Sequence, residues 1–221
     1  MTHQKRLSAP KHYPIERKNY SYVSGIEGSR STENAVPAVL FLRDVTGYAD
    51  SEKEAKKIIR DGKLLRNGER VRSVKEGIGV LDVVELEDVE KAYRVLIEGS
   101  QLKFLKAEKP EVTVARIEGK KSEGDEYVYH LHNGSNYRTE KEYSTGSTLL
   151  MEDGEAEEVK REEGSQVIVI SGQHAGEVAE LKEIHRRNLD SDAGKVESGY
   201  EFQTQLENLV AVEKINTGET K

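Results

Sequence analysis

The sequence predicts an α+β protein of several small modules on one chain. They are a basic extended N-terminal arm, a small helix-and-hairpin unit, a central antiparallel β domain and a C-terminal small β barrel. Three observations lead there. Residues 37–72 carry helix caps followed by a turn dipeptide. From residue 91 onward the chain is mainly alternating apolar runs that end at glycines. The 221 residues are 35% hydrophobic against 34% charged, too lean for one large core.

Residues 1–36 form the arm. They have little apolar periodicity and are rich in Ser, Gly, Tyr and basic residues, so alone they bury too little surface to offset backbone entropy. Pro10 and Pro14 keep the segment extended. Residues 1–30 hold Lys5, Arg6, Lys11, Arg17, Lys18 and Arg30 against Glu16 and Glu27, a net +4 within a chain of net −7, which leaves −11 on the rest.

Residues 37–88 form the second module. In "VPAVLFLRDVTGYA", Pro37 suits a first helical turn, Val39, Leu40 and Leu42 give apolar surface, and Gly47 stops the helix. A second helix follows in "SEKEAKKIIRDG", where Ser51 and Glu54 have capping-box spacing and Gly62 is the stop. At helical spacing Ala55, Ile58 and Ile59 share one face, and Lys53, Lys56, Lys57 and Arg60 share the other. "KLLRNGERVR" then reads as a hairpin about Asn67-Gly68, a pair suited to a type I′ turn. It sets Lys63, Arg66, Arg70 and Arg72 beside the cationic helix face. "GIGVLDVVELED" closes the unit with an apolar strand near residues 78–86.

Residues 89–162 read as the central β domain, from "YRVLIEG", "EVTVARIEG", "EYVYHLHNG" and "STLLMEDG". The acidic run at 151–163 is a solvated linker or an edge. Residues 163–216 form the last module. Its opening "SQVIVISGQHAGEVAEL" places Val167/Val169 and Val178/Leu181 on strands either side of a two-glycine loop, and "GYEFQTQLENLVAVEKI" closes a small barrel. Residues 217–221 are a tail.

The absence of cysteine excludes a disulfide framework, thiolate zinc sites and cysteine nucleophiles, as in a cytosolic protein. No apolar run approaches a bilayer span, and the N-terminus has no apolar core of a signal peptide. No G-x-S-x-G, P-loop or H-E-x-x-H motif occurs, and "GIGVLD" lacks the third glycine of a dinucleotide loop. His130 and His132 alternate, but two imidazoles without a third ligand make a poor metal site, and His174 and His185 default to exposed polar roles. The expectation is no catalysis, no metal and no cofactor. A basic helix beside a basic hairpin can bridge phosphates of a folded RNA, although from charge alone a solvated helix is the commoner reading.

Residue order favours RNA. "YADSEKEAKKIIRDGKLLRNG" resembles the RNA-binding module of small-subunit ribosomal protein four and of several RNA-modifying enzymes and synthetases. The likeness lies in Ser51, Glu54, Ala55, Ile59 and Gly62, then Leu65, Asn67 and Gly68, with Leu42-Arg43-Asp44 upstream. It implies RNA contact by Arg43, Lys53, Lys56, Lys57, Lys63 and Arg66, beside which Arg60, Arg70 and Arg72 extend the cationic surface. "GSQVIVISGQHAGEVAELKEI" looks like the KOW motif of ribosomal and transcription-elongation proteins, which forms a small SH3-like barrel. Gly172, His174 and Gly176 in its loop are candidate RNA contacts. The loop departs from the motif at Gln173, His174 and Glu177, where the family is usually basic, and at Ala179, where glycine is common. With "KRLSAPKH" at the start, the chain resembles, along nearly its whole length, the archaeal and eukaryotic small-subunit ribosomal protein four of the e type. In that family Lys5, Arg6, Lys11 and His12 would meet rRNA, with Arg17 and Lys18 beside them.

The resemblance implies a structural rRNA-binding role in the small ribosomal subunit in the cytoplasm, among neighbouring ribosomal proteins, without membrane or small-molecule substrate. Tyr13, Tyr20 and Tyr22 would stack on unpaired bases or pack on a ribosomal neighbour. The alternative is a free KOW-containing RNA-binding or elongation factor that associates with polymerase. Net acidity fits a halophilic archaeon, whose salt-rich cytoplasm screens repulsion within about 3 Å at 1 M.

Overall fold

The computed structural model describes residues 4–28, 30–89, 91–107, 112–152, 154–186 and 191–212. The 217–221 tail lies outside them. The described chain is mostly antiparallel strand with few helices, in two compact units, Met1–Glu111 and Val112–Lys221. By sequence the first unit carries net +3 and the second net −10.

The first unit begins with β1 (Gln4–Lys5) and β2 (Tyr22–Val23), which pair with each other. Residues 4–28 are therefore not the free, extended arm that their composition suggested. The arm packs through polar and apolar groups alike: Ala9, Tyr13 and Val23 are buried, so the Tyr13 ring is spent inside the fold and not on a base or a neighbouring protein. Arg6 is 1% exposed, its guanidinium 2.5 Å from the Asp44 carboxylate and 2.5 Å from the Glu16 carbonyl. The Leu102 N–H donates to the His12 carbonyl (3.0 Å), so the arm lies along an edge of the main sheet.

β3 (Ala35–Pro37) runs straight into α1 (Ala38–Leu40). Pro37 ends the strand and precedes the first helical residue instead of occupying the first turn. The helix then widens over Phe41–Val45, where the Thr46 N–H reaches the Phe41 carbonyl five residues back, and Gly47 ends it at φ +67°. In α2 (Glu52–Arg60) the Ser51 hydroxyl accepts from the Glu54 N–H (3.3 Å). The Glu54 carboxylate reaches back one residue further than a reciprocal box requires, to the Asp50 N–H (2.9 Å). Gly62 at φ +75° closes the helix, with Gly62 N–H on the Ile59 carbonyl and Lys63 N–H on that of Ile58.

The hairpin of β4 (Leu64–Arg66) and β5 (Glu69–Arg70) turns at Asn67 (φ +52°) and Gly68 (φ +78°), as a type I′ turn demands. The single strand expected at 78–86 is two, β6 (Gly77–Gly79) and β7 (Val83–Leu86). The chain breaks between them because Asp82 turns inward. Its carboxylate accepts from the Gly79 N–H (2.7 Å) and Asn67 Nδ2 (2.9 Å) and pairs with Arg30 at 3.2 Å, both side chains 2% exposed. β8 (Lys91–Glu98) and β9 (Gln101–Ala107) complete a five-stranded sheet of order β5-β4-β7-β8-β9. The boundary drawn at residue 88 thus cuts a sheet, since β8 pairs with β7 from Val83↔Arg94 to Leu86↔Lys91.

In the second unit β10 (Thr113–Glu123), β11 (Glu126–Leu131), β12 (Asn136–Thr139), β13 (Thr148–Glu152) and β14 (Glu155–Val159) form a sheet of order β12-β11-β10-β13-β14. Gly119 lies within β10 at a register shift and does not end it. Within the acidic run, Glu155–Val159 is the edge strand β14. Ala115, Ile117, Tyr129, Leu131, Tyr143 and Leu149 form this sheet's core. His130 bonds to Asn136 (2.7 Å), and His132 Nδ1 accepts from the Arg116 N–H (3.0 Å).

β15 (Gln166–Val169), β16 (Val178–His185), β17 (Ala193–Glu197), β18 (Glu201–Gln205) and β19 (Leu209–Ala211) form the last sheet, of order β18-β17-β16-β15-β19. The expected closed barrel is not seen among the described residues. The 3-10 turn Leu206–Asn208 carries the chain from β18 to β19, which pairs with β15 and leaves β18 as an edge. Leu206 packs with Val167, Leu181, Val196 and Leu209. Gly194 permits this, because a Cβ there would lie 2.8 Å from Leu209 Cδ1 and 3.0 Å from Leu206 Cδ2.

Candidate nucleic-acid interface

Of the candidate cations, those on α2 reach solvent together. Ala55 and Ile59 are buried beneath the helix, and Lys53, Lys56, Lys57 and Arg60 are exposed on its outer side. Lys56 holds Glu52 at 2.7 Å and Arg60 approaches Asp61 at 3.7 Å. Lys53 and Lys57 have no ion partner among the described residues. Both pairs are exposed and solvent-screened, so they exchange readily for other anions.

The hairpin cations divide. Arg70 and Arg72 are exposed, and Arg70 lays its guanidinium against Gly62. Lys63 bonds to Asp88 at the surface. Arg66 is committed to the fold: Nη1 donates to the Gly77 carbonyl (2.6 Å) and Nη2 lies 3.3 Å from Glu76. Arg43 is half-buried, 2.8 Å from Asp44, and its guanidinium stands 5.6 Å from the ring centroid of Tyr20. Arg6 faces the same ring at 5.3 Å. Charge counting missed Lys75, which with Arg43 and Tyr22 lines a cleft of 630 Å³. It also missed the Arg30–Asp82 pair, for which the lone Asp in an apolar run was the available signal.

In the arm, Lys5, Lys11 and Lys18 are exposed. Arg17 donates to the Ala9 (2.6 Å) and Pro10 (2.8 Å) carbonyls, stiffening the turn between the exposed lysines. Arg6 and His12 hold the arm down from inside. His12 is 7% exposed, its Nε2–H donating to the Ala35 carbonyl at 3.0 Å. Burial pushes its imidazole below the ordinary 6.5. The Ala35 bond opposes that shift, Arg17 adds to it and Glu33 opposes it. As pH falls, the unfolded chain protonates first, so stability is full above about pH 6.5 and declines below it. His12→Gln is expected to flatten that decline, as read by urea unfolding from about pH 7.5 to 5.5.

On the second unit, Gly172 (φ +92°) and Gly176 (φ +97°) bracket the β15–β16 loop, and His174 between them packs on Phe202.

No family model matches the chain. The curated small ribosomal subunit protein eS4 of Methanocaldococcus jannaschii is 33% identical over 227 residues, covering 95% of this chain and 93% of that protein. The chain belongs to the eS4 family. The eS4 protein of Haloarcula marismortui is 32% identical over 98% of both chains. A crystal structure of 30S ribosomal protein S4e from Thermoplasma acidophilum shares the fold, with a TM-score of 0.67 at 21% identity over 81% of this chain and 95% of that one. The eS4 likeness spans both units, so neither is an unrelated appendage.

Proposed function

We propose that this eS4-family chain is a structural, non-catalytic constituent of the small ribosomal subunit that binds and organises rRNA in the cytoplasm. The observation that carries the reading is the match to relatives named small ribosomal subunit protein over 95% of the chain. The physical support is the outer face of α2, where cations stand free of the core. Lys53, Lys56, Lys57 and Arg60, with Lys63, Arg70 and Arg72 beyond the hairpin, form the phosphate-facing surface. Lys5, Lys11 and Lys18 extend it along the arm. Arg43 meets RNA at the mouth of the cleft, and Arg6, His12, Arg17 and Arg66 position their neighbours. Residues 37–88 serve as the RNA-binding module, although the sheet that frames it runs on to residue 107. The KOW-type assignment of 163–216 draws support from the hairpin and its two positive-φ glycines.

Acidity is sorted by unit, net −10 on one and net +3 on the other. A salt-rich cytoplasm fits this division, because counterion release contributes little there and shape and direct hydrogen bonds must hold the RNA. Tagged protein is expected to sediment stoichiometrically with small subunits from a high-salt, magnesium-containing lysate, with ultraviolet crosslinks to their rRNA. Migration as a free protein or with polymerase would overturn the reading.

A further inference from the structure

We propose that the ring surface of His174, Tyr200 and Phe202 docks an arginine-bearing segment of a neighbouring protein. This goes beyond the rRNA reading and assigns His174, a candidate RNA contact by sequence, to a protein partner instead. The β15–β16 loop and the β17–β18 turn bring three rings together. His174 stacks on Phe202 with centroids 4.0 Å apart and planes at 24°, and Tyr200 lies 5.5 Å from Phe202 and 5.9 Å from His174. Tyr200 is 51% exposed, a large ring left open to solvent.

Hydrogen bonding fixes these rings and decides what they can hold. The Tyr200 hydroxyl stands 2.8 Å from both oxygens of Glu177 and donates to that carboxylate, which raises the phenol's pKa and keeps it neutral. His174 Nδ1 lies 3.1 Å from Glu177 Oε1. A carboxylate only accepts, so Nδ1 donates to it, and the Glu177 carboxylate keeps lone pairs beyond these bonds. A guanidinium only donates, stacks on ring faces and meets a carboxylate through its fork. A phosphate carries the same sign of charge as Glu177 and is repelled by it.

The surrounding charge agrees: the unit that carries the rings is net −10 by sequence, which favours a cationic visitor over a polyanion.

The test uses the full-length protein and two labelled probes, an eight-residue peptide alternating Arg and Gly and an eight-residue oligouridine, read by fluorescence anisotropy. The peptide is expected to bind, and to bind roughly fivefold more weakly to Tyr200→Ala and to the near-isosteric Glu177→Gln. Glu157→Gln, on the acidic edge strand β14, should leave peptide affinity unchanged, and Tyr200→Ala should leave oligouridine affinity unchanged. Absent peptide binding, or equal binding to all variants, overturns the proposal. Loss of oligouridine binding in Tyr200→Ala overturns it too, by assigning the surface to RNA.

Discussion

Asp82→Ala is expected to destabilise the first unit by about 3–5 kcal/mol, the range for removing one partner of a buried ion pair. The substitution leaves the Arg30 guanidinium without its counter-charge, held only by neutral groups such as the Val80 carbonyl (2.8 Å), in a site where both side chains are 2% exposed. It also removes the acceptor of the Gly79 N–H and of Asn67 Nδ2. Three elements would loosen at once: the arm's end at Arg30, the β6–β7 break and the type I′ turn. The arm cannot simply shift to compensate, because the Arg30 guanidinium already fills the space over Gly79, where a Cβ would lie 2.3 Å from its Nε. Calorimetry should show a melting transition lowered by roughly 10 °C or more. A change under about 1 kcal/mol would mean that the pair is as replaceable as a surface one.

Lys53→Glu combined with Lys57→Glu is expected to weaken binding to small-subunit rRNA at least about tenfold at 0.1 M salt, and to make the dependence of log K on log salt shallower by roughly 1.4 to 1.8. The two lysines are exposed, have no ion partner among the described residues and lie opposite the buried Ala55 and Ile59, so the fold should tolerate both changes. Glu155→Lys with Glu157→Lys alters as many charges on the edge strand β14 and should not weaken the complex. Filter binding across a salt series separates the cases. A strengthening by the glutamate double as large as the weakening by the lysine double would show that affinity follows total charge, without a defined face.

What was legible in the sequence was local. Ser51, Gly62 and Asn67-Gly68 act within a few residues of themselves, so cap, stop and turn could be read from spacing, and α2 sorts its faces as its period demands. The arm was illegible because its anchors are long-range, its buried apolar residues Ala9, Tyr13 and Val23 follow no period and its remaining anchors are polar. Arg6 meets Asp44 across 38 positions, and no periodicity announces such a contact. Arg66 and Lys57 look alike as letters, yet one is locked to the Gly77 carbonyl and the other stands in solvent. The boundary at 88 cut a sheet for a related reason: alternating strands carry no mark of the sheet they join, and β8 pairs with β7 across it. Barrel closure depended on where β19 would pair, which its apolar letters do not specify.

The Arg6–Asp44 pair bears on how such a chain changes over generations. Asp44 replaced alone leaves the Arg6 charge in the interior, a step that selection removes, whereas Arg6 replaced alone leaves Asp44 on Arg43, 2.8 Å away. Replaced together by apolar residues of similar volume, Arg6 and Asp44 can vanish at little thermodynamic loss, because the half-buried Arg43 can turn to solvent. Inheritance is thus one-directional, and lineages of this family that lose Asp44 should have lost Arg6 as well.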